Sequence, residues 1–120
     1  MIAARVLCVS FDGAASDARC TALRQAGYTV TPAMKISEAM ELLNRERFDL
    51  VVVGHRFSTE EKRSLASTAK EDCNTPVLLV HGPSPQKDVP ADARVYALEG
   101  TEGILKAAEL LLAKQESPAA

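Results

Sequence analysis

The segment Gly27–Gly54, GYTVTPAMKISEAMELLNRERFDLVVVG, carries two periodicities side by side. Its end, Phe48–Val53 (FDLVVV), is a continuous apolar run rich in β-branched residues, the pattern of a strand buried on both faces. Its start, Tyr28–Thr31 (YTVT), reads as a second strand, closed by Pro32. Between them Ser37 is placed to cap a helix whose Ala39, Met40 and Leu43 stripe runs to about Arg47. A strand, an amphipathic helix and a buried strand within about thirty residues form a β-α-β unit, which predicts a parallel sheet.

The same alternation extends in both directions. Upstream, Arg5–Val9 (RVLCV) is a short β-rich run, and Ala15, Ala18, Ala22, Leu23 and Ala26 make a helical stripe that ends at Gly27. Downstream, Ser58-Thr59-Glu60-Glu61 is a capping box that opens a helix to about Glu71. Pro76–Val80 (PVLLV) is another buried strand and Arg94–Leu98 (RVYAL) a fifth. Thr101 is placed to cap a last helix with Ile104, Leu105, Ala108, Leu111 and Leu112 on one face. The fold class is therefore α/β: a three-layer α/β/α sandwich around a five-stranded parallel sheet. Right-handed crossovers leave few strand orders, of which the flavodoxin-like 2-1-3-4-5 is expected. One helix is missing from the alternation. Gly82–Ala93 (GPSPQKDVPADA) contains Pro83, Pro85 and Pro90, so a loop or a single helical turn is expected where the pattern asks for a fourth helix.

With 120 residues, the chain fits one domain, expected over 1–116, with 117–120 as a flexible tail. A net charge of −2 offers no basic field for nucleic acid or anionic lipid. No Trp, two Tyr and three Phe leave no aromatic platform for stacking bases. No apolar stretch is long enough to span a membrane, and MIAARVLCV lacks the features of a signal peptide, so a cytoplasmic location is expected. Cys8, Cys20 and Cys73 have neither metal-ligand nor redox-motif spacing and read as reduced thiols, with Cys8 buried in mid-strand.

These residues resemble the receiver domain of two-component response regulators, over about residues 4–115. The resemblance rests on RVLCVSFD (Arg5–Asp12), on Gly27–Gly54, on PVLLVHG (Pro76–Gly82) and on the closing helix. Within the middle stretch it is carried by Gly27, Tyr28, Val30, Ala33, Glu38, Ala39, Leu42, Leu43, Asp49, Leu50 and Val51. The resemblance implies a phosphorylation site built from an acidic pair after the first strand, an aspartate after the third, a hydroxyl after the fourth and a lysine after the fifth. On this chain the acidic pair falls on Ser10 and Phe11, with Asp12 one step beyond. The phosphoacceptor falls on Gly54, the hydroxyl on His81 and the lysine near Ala97 or Leu98. Gly54 has no carboxylate to phosphorylate, and Mg²⁺ needs hard oxygen ligands that these positions lack. The resemblance thus implies a degenerate pseudo-receiver, standing alone without an output domain. It would signal through protein–protein contacts independent of phosphorylation. A larger His81 is expected to fill the space vacated at Gly54, since close-packed interiors do not tolerate voids.

Other chemistry is weaker. His55, His81 and Asp12 approach the carboxyl ends of the strands, where α/β folds bind ligands, but their spacing matches no metal motif. Asp12 or Asp49 as a non-standard phosphoacceptor, and a small-molecule or metal module in the vacated pocket, are the alternatives. Neither histidine has a visible phosphodonor or acid–base partner. Neither a serine-nucleophile motif nor a phosphate-binding glycine loop is present, so no enzyme and no cofactor are expected. The run Glu60, Glu61, Lys62, Arg63 and the run Lys70, Glu71, Asp72 read as a solvated helix face. The expected partner is an unidentified signalling protein, with a homodimer possible; the closing helix and the Pro83–Pro90 loop are the candidate surface.

Overall fold

The computed structural model describes residues 3–11, 18–54, 56–83 and 87–116. Five strands, β1 (Arg5–Val9), β2 (Thr29–Ala33), β3 (Leu50–Val53), β4 (Val77–His81) and β5 (Ala93–Tyr96), form one sheet in the order 2-1-3-4-5. Every pairing is parallel. Four helices accompany it among the described residues: α1 (Ala18–Gln25), α2 (Ile36–Arg45), α3 (Thr59–Ser67) and α4 (Gly100–Glu116). No helix lies among the described residues between β4 and β5, as the prolines of that segment predict.

The alternation of side chains along each strand divides the core into two layers. Leu7, Val9, Val51, Val53, Val77 and Leu79 face α2 and α3, where they meet Ala39, Leu43, Leu65, Ala66 and Ala69. Val6, Leu50, Val52, Leu78, Val80 and Val95 face α1 and α4, where they meet Leu23, Ile104, Ala108, Leu111 and Leu112. β1 and β3 are buried along almost their whole length, which is why their sequences read as unbroken apolar runs. Cys8 and Cys20 are among the buried residues.

Several predicted boundaries move, each for a local reason. Pro32 does not close β2; the strand runs through it to Ala33. β2 is an edge strand paired only with β1, so a residue without an N–H is tolerated there. Ser37 is not the cap of α2. The cap position is Lys35 and the helix starts at Ile36, two residues earlier than a Ser37 cap would place it, with Ile36 buried; Glu38 Oε1 accepts the Met34 N–H at 2.9 Å. Thr101 likewise lies inside α4. A 3₁₀ turn, Ala97–Glu99, precedes that helix, and Glu99 Oε2 accepts the Tyr96 N–H at 2.8 Å. β5 therefore ends at Tyr96, not Leu98. The capping box of α3 is present as predicted: Ser58 Oγ accepts the Glu61 N–H and Glu61 Oε1 accepts the Ser58 N–H, both at 3.1 Å. That helix continues past Ser67 as one wider π turn, Thr68–Asp72.

Candidate functional site at the carboxyl edge of the sheet

The register Val9↔Val53↔Leu79 brings the residues after β1 and β3 to one edge. Ser10 is 1% exposed and donates its N–H to Ala33 O at 2.9 Å; the Gly54 N–H donates to Val9 O at 2.8 Å. These bonds extend the ladder one step and leave no slack in the backbone around Gly54. A Cβ built at Gly54 would lie 3.2 Å from Val9 O and 3.5 and 3.6 Å from the two terminal nitrogens of Arg19. The space over Gly54 is thus filled by a guanidinium that α1 sends in from the sheet face to which Leu23 belongs. Arg19 Nη2 also approaches Ser10 Oγ at 3.4 Å.

His81 does not fill that space. One step beyond Val53↔Leu79, the residue opposite Gly54 is Val80. Alternation then points His81 to the other face from the one Gly54 would use. The partner of His81 in the ladder is Tyr96, and their rings stack 5.7 Å apart at 21°. His81 Nδ1 meets its neighbour's Gly82 carbonyl at 2.7 Å.

A second cation reaches the same edge from the opposite layer. Lys62, on α3, is 1% exposed, the largest of the fully buried side chains, and its Nζ donates to Val80 O at 3.5 Å. Burial, and secondarily the charge of Arg19, pull its pKa from 10.5 down to about 8. Lys62 therefore does not belong to a solvated face. Two of the other charged residues pair as well: Arg63 on α3 with Asp88, and Lys70 Nζ in the following π turn with Asp92 Oδ1 at 2.8 Å. Both ties hold the segment that replaces a helix between β4 and β5. Asp92 Oδ2 also accepts the Val77 N–H at 2.8 Å, Arg94 donates to the Val89 carbonyl, and Val89 is fully buried.

The remaining candidates are scattered. Phe11 is 56% exposed and meets Phe57 edge-on at 6.1 Å, over a groove of roughly 570 Å³ with Met34, Ile36 and Met40. Ala97 sits in the 3₁₀ turn after β5. Asp49 lies at the opposite, amino edge, where its Oδ2 accepts the Arg5 N–H at 2.8 Å. Asp12 and His55 lie outside the described residues, as do Pro85 and the tail 117–120. Among the described residues no group of three His, Cys, Asp or Glu is placed to hold a metal ion, and no helix is long and apolar enough to cross a membrane. Among the described residues at this edge, Ser10 supplies a hydroxyl, Gly54 no side chain, and the Arg19 guanidinium and Lys62 ammonium approach from opposite layers.

Sequence reasoning located Gly54 but missed Arg19 and Lys62. The signal was present for Lys62. It stands at the head of the apolar stripe Leu65, Ala66, Ala69, three, four and seven residues before them, so the helix that buries those residues buries it too.

No family model matches the chain, and no curated protein matches it. Solved structures do. A CheY-like response regulator receiver domain from Methanospirillum hungatei JF-1 superposes with a TM-score of 0.79 at 22% identity, covering 96% of this chain and 98% of that one. The receiver domain of the Francisella response regulator 1452 gives 0.80 at 18% identity, over 93% and 98%. The chemotaxis protein CheY4 of Vibrio cholerae gives 0.74 at 22% identity, over 92% and 99%. The chain has the receiver fold, with no helix between β4 and β5 among the described residues.

Proposed function

We propose that this protein is a receiver-fold signalling module that acts through protein–protein contacts without an aspartyl phosphate. The observation that carries the reading is Gly54 at the end of β3, with the Arg19 guanidinium packed over it. A phosphoacceptor needs a carboxylate at that point and a divalent cation beside it to neutralise the transferring group. Here the position has no side chain, and the neighbouring charge is a fixed part of the protein. The module is read as non-enzymatic, in a cytoplasmic setting. Its partner is a signalling protein or a second copy of the chain. The apolar side chains Leu98 and Leu110, 81% and 63% exposed around and along α4, supply contact area for it.

Amide NMR with Mg²⁺ and then beryllofluoride, an aspartyl-phosphate mimic, tests the reading. The amides of Ser10, Gly54, Val80 and Gly82 are expected to stay in place. Concerted shifts that reach α4 would overturn it and make the protein a phosphorylated regulator.

A further inference from the structure

Among the described residues four large apolar side chains are exposed, and they fall into two groups on opposite sides of the sheet. Phe11 and Met34 stand at the groove between the starts of α2 and α3, whose lining continues with Met40 and Phe57. Leu98 and Leu110 stand with the other layer, in the 3₁₀ turn before α4 and on α4 itself. With roughly 570 Å³ the groove has room for an aliphatic side chain from outside, and its two flexible thioethers adapt to what enters. Its banks differ in charge: Lys35 lies on the α2 bank and Glu60 on the α3 bank, both exposed. The surroundings of Leu110 carry the same two signs. Lys106 lies one turn before it on the same face of α4 and Glu109 lies beside it, and both are exposed. One chain thus presents an apolar anchor flanked by both charges and, on the opposite layer, an apolar groove flanked by both charges.

We propose that copies of this chain associate head to tail, the α4 face of one seated in the α2/α3 groove of the next. Leu110 enters beside Phe11, Met34 and Met40, with Lys106 toward Glu60 and Glu109 toward Lys35. The apolar anchor supplies the affinity, and the exposed charges fix its direction and register more than its strength. Groove and anchor lie on opposite layers, so the contact is heterologous: every added copy leaves one groove and one α4 face open. Assembly therefore continues past two copies, whereas a two-fold pairing of α4 faces would stop at two and leave the groove uncovered. The inference rests on the reading that contacts form here without an aspartyl phosphate, and names the partner as a second copy.

Sedimentation equilibrium of the full chain in EDTA tests this. The average mass should climb past that of two chains as concentration rises toward about 1 mM. Met34→Glu, which damages the groove, and Leu110→Glu, which damages the anchor, should each weaken association by at least about tenfold. Mixed in equal amounts they should form a one-to-one dimer and nothing larger, because the mixture holds one intact groove and one intact α4 face per pair. That recovery also shows that both variants are folded. Glu60→Lys and Lys106→Glu should each weaken association, and the chain carrying both should regain part of it. No association of the wild type, association that stops at two, a Met34→Glu chain that associates like wild type, or a mixture that stays monomeric would each overturn the head-to-tail contact. Association that appears only with Mg²⁺ and beryllofluoride would instead overturn the phosphorylation-independent reading.

Discussion

Lys62 concentrates the tension in this molecule. Its ammonium is buried beside a carbonyl and a guanidinium, so folding favours the neutral amine. A group whose folded pKa lies below its unfolded value costs stability at low pH, and that cost fades as pH rises through the window between the two. For Lys62 the window runs from about 8 to 10.5. Wild-type unfolding free energy should therefore gain on the order of 2–3 kcal/mol from this residue across that range. Lys62→Met, close in volume and uncharged, should remove the rise and be at least as stable at pH 7. Urea denaturation at pH 7 and pH 10 checks both, and an equal rise in the variant would assign it to other groups. Gly54 sets the complementary experiment. Gly54→Asp places a carboxylate against Arg19, with only the Val9 carbonyl crowding its Cβ at 3.2 Å. Gly54→Asp should melt at a higher temperature than Gly54→Asn, which has the same shape without the charge, and it should raise the titration of Lys62. Equal melting temperatures would show that the two cations do not act on this point.

Elements were legible where local rules and tertiary demands coincide. The apolar runs Val6–Val9, Leu50–Val53 and Val77–Val80 are strands because both faces are covered. The Ser58/Glu61 box starts α3 because its two bonds are made within the helix itself. Boundaries failed where a distant contact decides: Ile36 burial pulls α2 past Ser37, and the open edge of β2 accepts Pro32. The site divides in the same way. Gly54 could be read from β3 alone, whereas Arg19 and Lys62 reach this edge only after two helices pack on opposite faces. The link between β4 and β5 shows what a loop needs in place of a helix. Asp92 holds both the Val77 amide and Lys70, and Arg63 holds Asp88. Asp92→Ala should cost about 1–2 kcal/mol, since it unpairs a backbone N–H at the start of β4. The exposed Arg63–Asp88 pair should contribute less, about 0–1 kcal/mol. Hydrogen exchange should quicken at Val77 and Val89 in Asp92→Ala and barely change in Asp88→Ala. The opposite order would mean that the loop is held by its salt bridge.

At the scale of the whole molecule, a switching receiver needs two arrangements that a ligand tells apart. On the proposed reading, three contacts favour one arrangement here: a guanidinium over Gly54, a stacked His81–Tyr96 pair, and Asp88 and Asp92 tied to Arg63 and Lys70. If the proposed reading holds, such a module signals by what it touches, so its contact surface carries the specificity. Leu98 and Leu110 stand out there because they are large, apolar and exposed, while Ile104, Ala108, Leu111 and Leu112 of the same region are buried in the core. Leu98→Glu and Leu110→Glu, made singly, should leave stability within about 0.5 kcal/mol, as surface substitutions do. Each should nevertheless weaken the physiological contact, because a charge desolvated at an interface centre costs binding that an apolar anchor would favour. Sedimentation equilibrium reads this if the partner is a second copy: wild type should associate at a concentration where the variants remain monomeric. If the partner is another signalling protein, its affinity for wild type should fall by about tenfold or more in at least one variant. Unchanged association in both, with melting temperatures also unchanged, would move the contact surface away from α4 and toward the Phe11–Met34 groove on the opposite layer.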